Sequence, residues 1–311
     1  MCCAASSTWC TPLADDTIGV LLMAYGTPAT PAGVEAYYTH VRRGRPPTAE
    51  QLADLQRRYD AIGGTSPLLE RTQAQRRGVR AALDERGDFT VELGMKHASP
   101  FIENAMARLV DGGASRVVGV VLAPHYSRLS IGEYEQRARQ AAGDGVGFAM
   151  VHSWYQAPPY LDALAERIQK ARATLPERTE VVFTAHSLPA RIVDEGDPYP
   201  EQLRWTGEAV AERAGVKRWR VGWQSAGRTP EPWIEPDILE ILDEVAALDE
   251  DEGVLVCPAG FTSDHLEILF DLDVEAAARA ERLGLAFART ESLNDDPRLC
   301  AAVADAVLAH A

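Results

Sequence analysis

Ile18-Gly-Val-Leu-Leu-Met-Ala24-Tyr25-Gly-Thr-Pro28 and Val181-Val-Phe-Thr-Ala185-His186-Ser-Leu-Pro189 share one pattern: an apolar run, one ring-bearing polar residue, and a turn closed by proline. A run that is apolar at nearly every position, not at alternate ones, marks a strand buried on both faces, as in parallel sheets covered by helices. Similar runs occur at Thr90–Gly94, Val117–Ala123, Phe148–Val151, Arg220–Trp223, Gly253–Cys257 and Leu285–Ala288. Helical patterns separate them, at Ala49–Tyr59, Ser66–Leu83, Ile102–Asp111, Ile131–Ala142, Pro159–Leu175, Pro200–Ala214, Ile234–Leu248, His265–Leu283 and Pro297–His310. The alternation predicts an α/β protein with parallel sheets and crossover helices.

The opening pair also points to an internal duplication. Pro100-Phe-Ile-Glu103 matches Pro232-Trp-Ile-Glu235, and strands ending near Pro124 and Pro258 each lead into a helix. The expected organisation is a flexible tail over 1–16, a first lobe over 17–153, a second lobe over 154–290 and a C-terminal helix, 291–311, packing back. The first lobe carries surplus chain, placed within Ala36–Ser66, that includes His40-Val-Arg-Arg-Gly-Arg-Pro-Pro47 and Arg57-Arg58-Tyr59. A basic, Pro/Gly-marked insertion reads either as a binding segment for an anionic ligand or as a solvated surface loop.

Bulk properties narrow the function. The chain has 311 residues, 46% hydrophobic and 25% charged, with a formal charge of −15. That balance supports a sizeable core. The negative field disfavours nucleic acid and anionic membrane surfaces as partners. No apolar run approaches a membrane span, and Met1–Thr17 lacks the basic start and apolar stretch of a secretory signal. The five cysteines, Cys2, Cys3, Cys10, Cys257 and Cys300, form no disulfide framework, which fits a reducing cytoplasm.

Ligands of open parallel sheets bind beyond the carboxyl ends of the strands. The polar residues expected there are Tyr25, His97, His125, His186 and the segment after Cys257. An imidazole at such an edge can ligate metal or accept a proton near neutral pH, although a lone histidine there is more often structural. The segment Cys257-Pro-Ala-Gly-Phe-Thr-Ser-Asp-His-Leu-Glu267 strengthens the functional reading: a strand ends, and a helix begins near Ser263 or Asp264 with Glu267 in its first turn. Asp271 and Glu275 follow at four-residue steps on the same face. With no Lys or Arg from Cys257 to Ala278, these carboxylates repel unless a cation or protons intervene. One imidazole with oxygen ligands suits loosely bound Fe²⁺ or Zn²⁺, and an exposed acidic helix face is the plainer alternative. Phosphate-loop, dinucleotide, zinc-helix and nucleophile-elbow motifs are absent.

At these residues the chain resembles the ferrochelatase family. Met23-Ala-Tyr-Gly-Thr-Pro, Tyr37-Tyr-Thr-His-Val-Arg-Arg-Gly-Arg, Arg58-Tyr-Asp-Ala-Ile-Gly-Gly-Thr-Ser-Pro-Leu, Leu122-Ala-Pro-His-Tyr-Ser, Ala185-His-Ser-Leu-Pro, Gly196-Asp-Pro-Tyr-Pro, Val221-Gly-Trp-Gln-Ser and Asp264-His-Leu-Glu occur in the family's order. Within it the chain is most similar to the coproporphyrin III ferrochelatases of Gram-positive-type bacteria. Tyr25 stands where protoporphyrin enzymes have an Asn-Leu-Gly-Thr-Pro pattern, and Arg45–Ser66 is too short for their apolar membrane-dipping lip.

The resemblance implies two similar Rossmann-like lobes in a chelatase fold, with the porphyrin in the cleft between them. It implies Fe²⁺ insertion into coproporphyrin III, with iron as substrate and no retained cofactor or membrane anchor. His186 and Glu267 match the family's metal pair; which of them takes protons stays open. Tyr25 faces the other side of the macrocycle, Arg42, Arg58, Tyr59, Ser66 and Tyr134 match porphyrin-holding positions, and Asp271 and Glu275 match an outer metal site. A transient handover of product to the next heme-pathway enzyme would follow. Some relatives hold an iron–sulfur cluster near the C-terminus; with only Cys300 there, no cluster is expected. Insertion into protoporphyrin IX, cobalt insertion, and a non-catalytic porphyrin or metal carrier are the rival readings.

Overall fold

The computed structural model describes residues 17–227, 229–248 and 252–311. The tail expected over 1–16, with Cys2, Cys3 and Cys10, lies outside the described residues. Among those described, eight strands form two parallel sheets. The first contains β1 (Ile18–Ala24), β2 (Phe89–Met95), β3 (Arg116–Val121) and β4 (Gly147–Val151), ordered β2-β1-β3-β4. The second contains β5 (Thr179–His186), β6 (Trp219–Gln224), β7 (Gly253–Cys257) and β8 (Ala286–Arg289), ordered β6-β5-β7-β8. The two orders superpose with β5 in the place of β1, so the duplication holds at the level of topology.

Helices fill the crossovers. Between β1 and β2 lie α1 (Val34–Val41), α2 (Ala49–Ala61) and α3 (Leu68–Asp84); α4 (Ile102–Asp111), α5 (Ile131–Ala142) and α6 (Pro158–Arg172) follow β2, β3 and β4. In the second lobe α7 (Arg191–Asp194) and α8 (Tyr199–Ala214) precede β6, and α9 (Ile238–Leu248) precedes β7. After β7 come α10 (Leu266–Leu269), a π-helical turn (Asp271–Ala276) and α11 (Ala277–Leu283); α12 (Pro297–Leu308) follows β8. The sequence pattern did not reveal α1 or the single turn α7, because both are too short to show a period.

Register locates the equivalent residues of the two lobes. Ala24 pairs with Met95, and Ala185 with Trp223. The Met95 amide donates to the Pro100 carbonyl at 2.7 Å, and the Trp223 amide to the Pro236 carbonyl at 3.0 Å. Phe101 bridges back to Met95, and Asp237 to Trp223, before α4 and α9 begin. Pro100 therefore corresponds to Pro236, four residues beyond the Pro232 that composition matched to it. Trp233 instead makes an antiparallel bridge opposite Pro189. The helix read over Ile234–Leu248 accordingly starts at Ile238.

Side-chain alternation along the strands builds a layered core. Val20 and Leu22 of β1 face inward to a cluster shared with Leu83, Phe183, Leu203 and Val303, so α3, α8 and α12 lie in a common interior that spans both lobes. Leu21 and Met23 point the other way, to α4 and α5. In the second lobe Val182 and Val256 face α9 and the π turn.

The insertion is helical on both sides of an exposed, irregular stretch over 42–48. A capping box starts α2: Thr48 Oγ1 accepts from the Gln51 amide at 3.2 Å, and the Thr48 amide donates to Gln51 Oε1 at 3.0 Å. Val34 and Tyr59 then pack against Leu266 and Phe270. The first lobe's surplus chain is thus docked onto the second lobe's acidic helix.

Candidate functional site

The ends of β1 and β5 carry the principal polar residues. Tyr25 follows Ala24 as His186 follows Ala185, so the two rings occupy the same register position. Gly26, at φ +97°, has the Ala98 amide nitrogen 3.0 Å from where a Cβ would stand, so the turn after Tyr25 requires glycine. Tyr25 is 43% exposed, and its ring packs on His97 at 4.6 Å between centroids. Desolvation raises its hydroxyl pKa, and the charge of Glu267 adds to this.

His186 is held from three sides. Its Nδ1 hydrogen-bonds the Ser187 carbonyl, the Tyr199 hydroxyl donates to the His186 carbonyl at 3.0 Å, and Nε2 lies 3.5 Å from Glu267 Oε1. With Nδ1–H spent on a carbonyl, an Nε2 contact with a carboxylate is attractive only if a proton or a metal ion lies between them. Burial works against charging this ring, but Glu267, the Ser187 carbonyl and Asp271 together outweigh it and raise the pKa above the usual histidine range. Burial likewise works against ionising Glu267, and the neighbouring imidazoles hold its carboxyl far below the usual range. Gln224, fully buried, fixes the helix start by donating to the Glu267 carbonyl at 3.1 Å while accepting from Thr184 at 2.8 Å.

A second imidazole was not singled out from the sequence. His265 Nε2 lies 3.3 Å from Glu267 Oε2, and its Nδ1 is 2.9 Å from the Ser263 carbonyl. Glu267 therefore stands between two imidazoles, each tethered at Nδ1 by a main-chain oxygen. The available signal was a histidine two residues before the carboxylate at a helix start; the extended His265 backbone, φ −160° and ψ −176°, turns its ring toward Glu267. His265 is also the N-cap residue. Asp264, expected as a cap, instead accepts from Ser292 at 2.7 Å and Asn294 at 3.0 Å.

The acidic row is not one regular helix face. The Glu275 amide bonds the Phe270 carbonyl at 2.9 Å, five residues back, which is the wider π turn. Exposure does not rise steadily along the row: the Asp271 side chain is 8% exposed, that of Glu267 29%, and Glu275 lies at the surface. The cation missing from the local sequence comes from the first lobe: Arg58 forms an ion pair with Asp271 Oδ1, and Ser225 donates to Oδ2. Ser225 has φ 61°, a left-handed backbone that aims its hydroxyl at this carboxylate. Burial nonetheless pushes the Asp271 carboxyl up to about 6, against the pull of Arg58.

The other residues matched through the resemblance line the first-lobe side. Tyr59 is buried with its hydroxyl 3.2 Å from Thr27 Oγ1, and burial raises its pKa to about 12. Tyr134 is buried beneath Lys96, whose Nζ lies 5.1 Å from the ring centroid and 2.5 Å from Glu133. Ser66 accepts from the Leu68 amide at 3.3 Å, a local turn contact before the helix. Arg42 stacks on Tyr38 at 5.6 Å. His97 contacts His40, Nδ1 to Nδ1 at 3.0 Å, and burial, with Lys96 nearby, lowers its pKa to about 3, so it is neutral. His125 is buried against Thr206 at 2.9 Å and takes no part in these contacts.

The sequence profile of the ferrochelatase family matches residues 17–311, nearly the whole chain. The chain belongs to the ferrochelatase family. A coproporphyrin III ferrochelatase of Geobacillus kaustophilus is 43% identical over 301 residues, which cover 94% of this chain and 95% of that protein. The coproporphyrin III ferrochelatase of Bacillus subtilis is 40% identical over 300 residues, 94% and 97% of the two chains. Among solved structures, SirB from Bacillus subtilis with Fe³⁺ shares the fold, with a TM-score of 0.57 at 13% identity over 94% of each chain. As a ferrochelatase-family member this chain has two chelatase-type lobes, and no helix among its described residues is long and apolar enough to cross a membrane.

Proposed function

We propose that this protein inserts Fe²⁺ into coproporphyrin III, forming Fe-coproporphyrin III in heme biosynthesis. One observation carries the mechanism: Glu267 lies between the Nε2 atoms of His186 and His265, at 3.5 and 3.3 Å. Insertion replaces two pyrrole protons by one Fe²⁺, so the site must accept protons and present ligands at the same place. The His186–Glu267 contact does both: it is attractive with a proton between the groups, and it offers a nitrogen and an oxygen once that proton leaves.

In this reading Tyr25 faces the macrocycle from the other wall, and Arg42, Arg58, Tyr59, Ser66 and Tyr134 hold it. A substrate bearing four carboxylates suits a first-lobe wall where Arg43, Lys96 and Arg137 outnumber the one acid among them, Glu133, in a protein otherwise acidic. Cleft walls that hold the ring out of plane would expose its nitrogen lone pairs. Asp271 and Glu275 act as the outer metal site. Iron passes through as substrate, and no cofactor or iron–sulfur cluster is retained: burial raises the Cys257 thiol to about 12 and the Cys300 thiol to about 11, which disfavours the thiolates a cluster needs. The protein works in the cytoplasm and hands its product to the next enzyme of the pathway.

The test is anaerobic turnover with Fe²⁺ and either coproporphyrin III or protoporphyrin IX. Preferred turnover of coproporphyrin III is expected. Equal or better use of protoporphyrin IX contradicts the assigned substrate, and tight binding without insertion contradicts the enzyme reading.

A further inference from the structure

Arg58 and Asp271 come from different lobes, 213 residues apart, and occupy each other. Both oxygens of Asp271 are engaged, one by Arg58 and one by Ser225. The Asp271 side chain is 8% exposed and that of Arg58 21%, so a divalent ion that takes Asp271 competes with Arg58 for its carboxylate. A displaced guanidinium in a partly buried cleft needs another anion, since an unpaired buried charge is costly.

Arg58 also has unused bonding capacity. Its Nε is buried without an acceptor. A guanidinium offers five donors in a planar fork, and a carboxylate that meets Nε and one terminal nitrogen satisfies two at once. The Phe270 ring lies beneath both Arg57 and Arg58, at 5.4 and 5.0 Å. It provides a face along which the guanidinium can slide while remaining desolvated. The backbone need not move, because the next residue, Tyr59, is fixed by Thr27 and by the packing of Val34, Leu266 and Phe270.

We infer that the Arg58–Asp271 ion pair couples the two substrates: a carboxylate of the macrocycle takes Arg58, a divalent cation takes Asp271, and each event makes the other easier. The inference rests on the function proposed above. Breaking the pair from either side leaves a partner of the charge that the second substrate needs. Asp271 freed of Arg58 offers its carboxyl to a cation beside Glu267, and Arg58 freed of Asp271 becomes a full carboxylate receptor. Linkage makes the effect reciprocal. Arg58 is thus a positioning residue, acting on iron through Asp271.

The experiment measures coproporphyrin III affinity by fluorescence, without metal, for the wild type, Asp271→Asn, Arg58→Ala and the double variant. Asp271→Asn should tighten porphyrin binding about tenfold, the scale of one charge-assisted contact, and the gain should vanish when Arg58 is already alanine. The same gain in both backgrounds, or none with Arg58 present, overturns the coupling. The wild type supplies a second arm that does not depend on variants folding: Mn²⁺ affinity, read by its paramagnetic resonance with and without coproporphyrin III and before insertion. Porphyrin should tighten Mn²⁺ binding, and unchanged affinity overturns the inference. Wild-type iron turnover, run in parallel, separates the two failures: turnover with uncoupled binding refutes only the coupling, whereas absent turnover refutes the function.

Discussion

Tyr25 and His186 stand at the same register position of two sheets with the same strand order, yet their surroundings differ in charge. Behind Tyr25 the neighbouring strand continues into Lys96 and His97; behind His186 it continues into Gln224 and Ser225. The first pair brings a cation and a neutral imidazole to the cleft. The second brings an amide that fixes Glu267 and a hydroxyl that engages Asp271. One topology therefore places a cation and an imidazole at one pair of strand ends and partners of two carboxylates at the other. The fold sets where side chains emerge, and residue identity at four strand-end positions sets what they attract.

That contrast breaks first at Glu267. Glu267→Gln should lower the limiting insertion rate about 100-fold or more, the usual scale for a proton-transfer group. It should also shift the pH profile. His186 is protonated below a pKa raised above the ordinary 6.5, and a protonated Nε2 has no lone pair for iron. The iron-limited rate should thus fall as pH drops through that raised value. Loss of the Glu267 charge lowers the His186 pKa, so the inflection should move to lower pH in the variant. An unchanged inflection would mean that another group titrates.

The first-lobe wall should respond differently. Arg42→Ala should weaken coproporphyrin III binding about tenfold at low salt, the scale of one charge-assisted contact, and leave the iron KM unchanged. A changed iron KM with unchanged porphyrin affinity would place Arg42 on the wrong wall. Tyr25→Phe, the register counterpart of a His186 substitution, should reduce kcat by less than about tenfold if Tyr25 acts only as an opposing ligand, a fraction of what a proton-transfer group contributes. A loss as large as that in Glu267→Gln would erase the division of labour. Glu275→Gln is the mildest change: the side chain is exposed, and the variant should stay within about 0.5 kcal/mol of wild-type stability, with at most a twofold rise in iron KM. Thermal melts and iron-varied kinetics check both.

Much of this is legible in the sequence. All eight strands were expected; those such as β1, β3, β5 and β7 stood out as continuous apolar runs because they are buried on both faces. The lobes were visible because β1 and β5 end alike, at Tyr25 and His186. The Pro100–Pro232 match failed because composition repeats near Trp233 while the hydrogen bonds that define equivalence lie four residues on, at Pro236. His265 was missed because its role depends on an extended backbone just before the helix, which propensity does not encode. The Arg58–Asp271 pair joins residues of different lobes, and no local pattern announces a contact of that separation. The π turn escaped notice for a related reason: its five-residue bond between Phe270 and Glu275 leaves a sequence that reads as ordinary helix.

The central claim is that insertion is carried out at the second-lobe wall by His186 with Glu267. An anaerobic single-turnover measurement tests it most directly, with coproporphyrin III saturating and Fe²⁺ added to wild type and to folded His186→Ala. The porphyrin absorbance should convert to that of the iron complex in the wild type. In the variant it should show bound, metal-free porphyrin, with conversion slowed by about 100-fold or more. Conversion at a near-wild-type rate in His186→Ala would contradict the account.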